Sequence, residues 1–80
     1  MRLFPLSALR DGERATVRHL DGDEAMVRRL RDLGMIEGTA VSCVLHAPSG
    51  DPAAYLIRGA LIAIRGQDAV RIAVERGAGS

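Results

Sequence analysis

The stretch Asp21-Gly22-Asp23-Glu24-Ala25-Met26-Val27-Arg28-Arg29-Leu30-Arg31-Asp32-Leu33-Gly34 reads differently from the rest of the chain, and that difference decides the fold. Met26, Leu30 and Leu33 fall at helical spacing and form one apolar stripe, while Arg28, Arg29 and Arg31 point elsewhere. The acidic residues at its start can accept bonds from free backbone N–H groups and suit the positive end of a helix. Gly34 follows Leu33 directly, as a left-handed C-terminal cap requires, and in that geometry Met35 folds back onto Leu30. Met35-Ile36-Glu37-Gly38 then reads as a turn. No other segment carries convincing helical periodicity.

Outward from this helix the chain alternates. Upstream, Pro5 to Leu9 reads as one short helical turn that Ser7 can cap, and Asp11-Gly12 as a turn. Glu13 to Leu20 is a half-buried strand with Ala15 and Val17 on one side and Arg14, Thr16 and Arg18 on the other. Downstream, Thr39 to Ala47 sets Val41, Cys43 and Leu45 on one face and Ser42, Val44 and His46 on the other. Pro48-Ser49-Gly50-Asp51-Pro52 is a loop. Ala54 to Arg58 and Ala60 to Arg65 are strands joined at Gly59, and Gly66-Gln67-Asp68-Ala69 is a tight connection of about one helical turn. Val70 to Glu75 is the last strand, with Val70, Ile72 and Val74 on one face. The expected fold is mainly β: a small closed barrel of about five strands with one α-helix inserted after the first strand. Closure removes exposed strand edges. One domain is expected over residues 1–75, with 76–80 as a flexible tail.

Composition narrows the function classes. A chain of 80 residues buries roughly 60% of its unfolded surface, too little to enclose a large substrate pocket as well as a core. The two aromatics, Phe4 and Tyr55, give almost no platform for stacking bases. Net charge is +1, so no strong field draws in nucleic acid, and Asp23, Glu24 and Asp32 are expected to offset the arginine cluster. One cysteine excludes an internal disulfide and fits a reducing compartment. The start, Met1-Arg2-Leu3-Phe4-Pro5, holds no signal-length apolar stretch, and the expected location is cytoplasmic.

No serine carries a strand-to-helix elbow, no glycine-rich phosphate loop is present, and the acids read as caps and turns, so no enzyme is expected. Candidate metal ligands are His19, Cys43 and His46. Cys43-x-x-His46 is a spacing zinc sites use, but it is half a site, and on an extended strand residues three apart point to opposite faces. Cys43 reads first as a small core residue, and both histidines as solvated strand-end residues. Leu33, Met35 and Ile36, with Ala47-Pro48, are large apolar residues beside turns. They either close the bottom of the barrel or form a groove for a partner segment.

The segment from Arg29 to Val41 resembles the ferrous iron transport protein A family, FeoA, whose pattern runs R-L-x-x-L-G-[LM]-x-x-G-[ST]-x-[VI]. Ala47-Pro48-Ser49-Gly50-Asp51-Pro52 is similar to that family's A-P-x-G-D-P, Arg58 to Arg65 to its G-x-x-[LI]-[AS]-[LI]-R segment, and Leu6 to Gly12 to its opening. The resemblance runs in order from about Leu3 to Val74. It implies an SH3-like β-barrel and a small cytoplasmic accessory protein of bacterial Fe(II) uptake. The implied partner is the G-protein-coupled permease FeoB, on its cytoplasmic side, with no nucleic acid. The residues it marks are Leu30, Leu33, Gly34, Met35, Gly38, Pro48, Gly50, Pro52 and Gly59; with Ile36 they form the candidate partner-binding set. The alternative is a stand-alone metal-sensing domain, related to the C-terminal barrel of iron-dependent repressors, that takes Fe(II), Mn(II) or Zn(II) through His19, Cys43, His46 or nearby acids.

Overall fold

The computed structural model describes residues 2–77. Its elements run β1 (Phe4–Pro5), a 3-10 turn (Leu6–Ala8), β2 (Arg14–Leu20), α1 (Glu24–Asp32), β3 (Ala40–His46), β4 (Ala53–Ile57), β5 (Ala60–Ile64), α2 (Gly66–Ala69) and β6 (Ile72–Arg76). The strands form one antiparallel sheet in the order β1-β6-β2-β3-β4-β5. The sheet therefore has six strands where about five were expected, because the two-residue β1 pairs with β6 at Phe4 and Pro5. Nor is the barrel closed: among the described residues β1 and β5 remain edges that do not pair.

Helix α1 follows from its ends. The Asp23 side chain accepts from the Met26 backbone N–H at 2.9 Å. At the other end Gly34 adopts φ +105°, its N–H donates to the Arg31 carbonyl, and the Met35 N–H donates to the Leu30 carbonyl. That pair of bonds closes the helix and turns the chain so that Leu30 and Met35 both end fully buried. Gly34 also packs on β4: a Cβ there would lie 3.3 Å from Ile57 Cγ2. The core beneath is continuous, from Leu6 and Leu9 through Val17, Leu30, Val41 and Tyr55 to Ile72 and Val74.

Two bulges shift the alternation. In β2 the register slips at Arg18, so the inward residues are Ala15, Val17 and then Leu20. In β3 it slips at Val44, so Cys43 pairs with Tyr55 but Leu45 pairs with Ala54. A bulge places two residues opposite one and reverses every later side chain. Leu45, expected beside Val41 and Cys43, is therefore 52% exposed.

Other local expectations also change. Ser7 makes no capping bond to the 3-10 turn, which Pro5 precedes in extended geometry. Val70 caps the end of α2 and is exposed, so the inward face of β6 is Ile72 and Val74 alone. Arg76, expected in the tail, ends β6: it pairs with Glu13, donates to the Ala8 carbonyl and stacks on the Phe4 ring. Positions 78–80 of the expected tail lie outside the described residues. Arg29 and Arg31 pair with Asp68 and Glu37, and not with the acids of their own helix.

Candidate functional site

The bulge at Val44 has a chemical result. It turns His46 to the same side of β3 as Cys43, where period-two geometry had set them apart, and brings His46 Nδ1 to 3.9 Å from Cys43 Sγ. Asp11 completes the group. The turn that carries it is stitched to β3, with the Gly12 N–H donating to the Cys43 carbonyl at 2.6 Å. Asp11 Oδ1 accepts from the His46 backbone N–H at 3.1 Å and lies 2.6 Å from His46 Nδ1. A carboxylate can only accept, so Nδ1 carries the proton of that bond. Ligand atoms of Asp11, Cys43 and His46 all lie within 4.8 Å of one another, and among the described residues they are the one such group. Burial pushes the Cys43 thiol up, with Asp11 and Glu13 adding to it. The same burial raises Tyr55, its neighbour across the ladder, to about 12.

Of the residues marked by sequence, Cys43 and His46 are thus brought together, while His19 sits on the exposed face of β2, outside the group. Asp11 was missed. It lies 35 positions from His46, and its local signal was only that of a turn.

The candidate partner-binding residues divide between the two ends of β3. At one end, Gly34 on Ile57 sets the close of α1 beside the β4–β5 turn, where Arg58 and Gly59 have φ of 51° and 82°. Ile36 is exposed there, while Leu30 and Met35 are buried and shape the end without reaching the surface. At the other end lies the loop of Pro48, Gly50 and Pro52. It is held by a bond from the Ala47 N–H to the Pro52 carbonyl and by Asp51 Oδ1, which accepts from the Gly66 N–H at the start of α2. Seven residues of strand, about 20 Å, separate the two ends, so they do not line one groove.

Sequence reasoning did not mark the outer surface of β3, β4 and β5. Leu45 sits opposite Ala54, Ala54 opposite Ala63, and Leu56 opposite Leu61. None of these side chains is charged, and Leu61 is 64% exposed. No helix of the described residues is long and apolar enough to cross a membrane.

The FeoA domain model matches residues 4–76. A fusion of Fe(2+) transport protein A with the Fe(2+) transporter FeoB from Porphyromonas gingivalis (strain ATCC BAA-308 / W83) is 31% identical over 70 residues, 88% of this chain but 8% of that protein. The chain thus spans only a small part of the curated relative it matches. The FeoA structure from Chlorobium tepidum is 36% identical, with a TM-score of 0.85 over 96% of this chain and 73% of that one. FeoA of Stenotrophomonas maltophilia, solved in complex with zinc and described as a prokaryotic SH3 domain protein, is 30% identical, with a TM-score of 0.78 over 90% and 89% of the two chains. The fold is accordingly SH3-like, and the chain belongs to the FeoA domain family, a family of ferrous iron transport.

Proposed function

We propose that this chain is a non-catalytic accessory protein of ferrous iron uptake that docks on the cytoplasmic side of an FeoB-type permease and modulates its activity. The observation that carries this reading is the fused relative, in which an FeoA domain and FeoB are one polypeptide. Fusion holds two parts at high effective concentration, which favours a pair that works in contact. The docking face is the uncharged outer surface of Leu45, Leu56 and Leu61. Contiguous exposed apolar residues of this kind mark interaction sites. The Pro48–Pro52 loop sits apart and steadies α2. Docking changes permease activity if the domain binds one conformation of the GTPase region more tightly than another. Calorimetry against the cytoplasmic portion of the cognate permease tests this. Binding that depends on the nucleotide state supports it, and no heat of binding in any state at hundreds of micromolar sinks it.

A second reading, metal binding by the domain itself, is favoured by the group of Asp11, Cys43 and His46 and by the zinc complex of the Stenotrophomonas maltophilia relative. Anaerobic titration with Zn(II) or Fe(II) separates it from the first, since it predicts affinity for the ion in the absence of any protein partner.

A further inference from the structure

The geometry points to one specific site for a divalent transition metal, formed by Asp11 Oδ1, Cys43 Sγ and His46 Nδ1, with a fourth position open to solvent. It rests on the metal-binding reading and narrows it to three atoms, leaving His19 out.

The donors are of three kinds. Thiolate and imidazole favour Zn(II) and its neighbours in the first transition row over Mg(II) or Ca(II), and one carboxylate with one thiolate neutralises a doubly charged ion. Tetrahedral bonds of about 2.0–2.3 Å require ligand atoms about 3.3–3.8 Å apart. The Cys43–His46 separation of 3.9 Å is already close to that, and the Asp11–His46 separation of 2.6 Å opens when their shared proton leaves. Metal entry releases the Cys43 thiol proton to solvent and moves the His46 proton from Nδ1 to Nε2, so that neutral imidazole presents Nδ1.

Two ligands come from a strand, where the bulge fixes their common direction, and the third from a turn bonded to that strand. The site is also reachable. The Asp11 side chain is 60% exposed and that of His46 28%, while Cys43 forms the floor. Three protein ligands with an open position differ from the closed four-ligand arrangement of a purely structural zinc site. The ion held here can exchange.

The test is anaerobic titration of the whole chain with Co(II), followed by Zn(II) displacement. The expected result is one equivalent of Co(II) with a thiolate-to-cobalt charge-transfer band, displaced by Zn(II). Asp11→Asn and His46→Gln, both at exposed or half-exposed positions, should weaken binding by at least about tenfold, the loss that even outer partners of metal ligands show. Cys43→Ser should abolish the charge-transfer band, and His19→Gln should change nothing. No Co(II) binding by the native chain overturns the metal-binding reading altogether. Binding without the charge-transfer band, or binding that Asp11→Asn and His46→Gln leave intact, overturns this site and leaves the metal elsewhere on the chain.

Discussion

The two edges of the sheet are built differently. Edge strand β1 is two residues long, contains Pro5, and has its Phe4 ring covered by the Arg76 guanidinium 4.2 Å away. Short length, proline and a covering charge are the usual ways of making an edge unfit for pairing. Edge strand β5, Ala60-Leu61-Ile62-Ala63-Ile64, has five residues, no proline and no charge. The outer faces beside these edges differ in the same sense. Next to β1, the β2–β6 face carries Arg14, Thr16 and the Arg18–Glu75 ion pair at 2.8 Å. Next to β5, the face carries Leu45, Leu56 and Leu61. One half of the molecule presents charged and polar side chains, and the other presents apolar ones. Both halves share one core, so the asymmetry does not come from unequal packing inside.

The largest expected effect tests that last statement. Ile57→Ala on β4 and Ile72→Ala on β6 should each destabilise the domain by about 2–5 kcal/mol in urea unfolding. A near-zero cost on one side would mean the halves do not share a core. Next, Leu61→Asp should weaken binding to the permease portion by about 2 kcal/mol, as a central apolar contact does, while leaving Tm nearly unchanged; Arg18→Ala should leave that binding intact. Equal losses from the two variants would erase the contrast between the faces. Gly34→Ala should cost about 1–3 kcal/mol of stability, since it places a side chain at φ +105° and 3.3 Å from Ile57. Removing the exposed Arg18–Glu75 pair should cost at most about 1 kcal/mol, and less in high salt.

The smallest effect is in pH. A backbone hydrogen bond and then the Arg31 guanidinium hold the Glu37 carboxyl below its ordinary value. Its folded-state value is therefore depressed, so its stabilising share is present above the ordinary carboxylate range and is lost as pH falls through the folded value. Glu37→Gln should lower Tm slightly at neutral pH, with the difference vanishing in acid, and so flatten the acid limb of the Tm profile a little.

The sequence makes the helix legible almost residue by residue. Leu33-Gly34-Met35 states a helix end through the conformation that only glycine adopts cheaply, and Asp23 sits where a cap belongs. Strands β2, β3 and β6 are legible from alternation, β4 and β5 as short runs joined at Gly59, and the motif series names the family. What is not legible is whatever depends on a phase slip or a distant partner. The bulges at Arg18 and Val44 contain neither glycine nor proline, so nothing local announces them, and the facing of Leu45 and His46 was misread as a result. Strand β1 is too short to show a period. Asp11 joins the site through bonds across 35 positions, and Asp68 reaches Arg29 across 39. The separation of the Pro48–Pro52 loop from the close of α1 is likewise a matter of strand length, which motif order does not convey.

The bulge at Val44 has one more consequence. It makes the facing of His46 a question of counting. A chain lacking that single residue would run Cys43, Leu45 and His46 in plain alternation, and so keep the imidazole beside the thiol and Leu45 on the outer surface. The drastic change is the opposite one, a strand pulled straight with the valine kept in the ladder, which would turn the imidazole to the outer surface and Leu45 into the core. A relative with cysteine and histidine two apart on a regular strand would present the same pair of side chains as this chain does at a spacing of three.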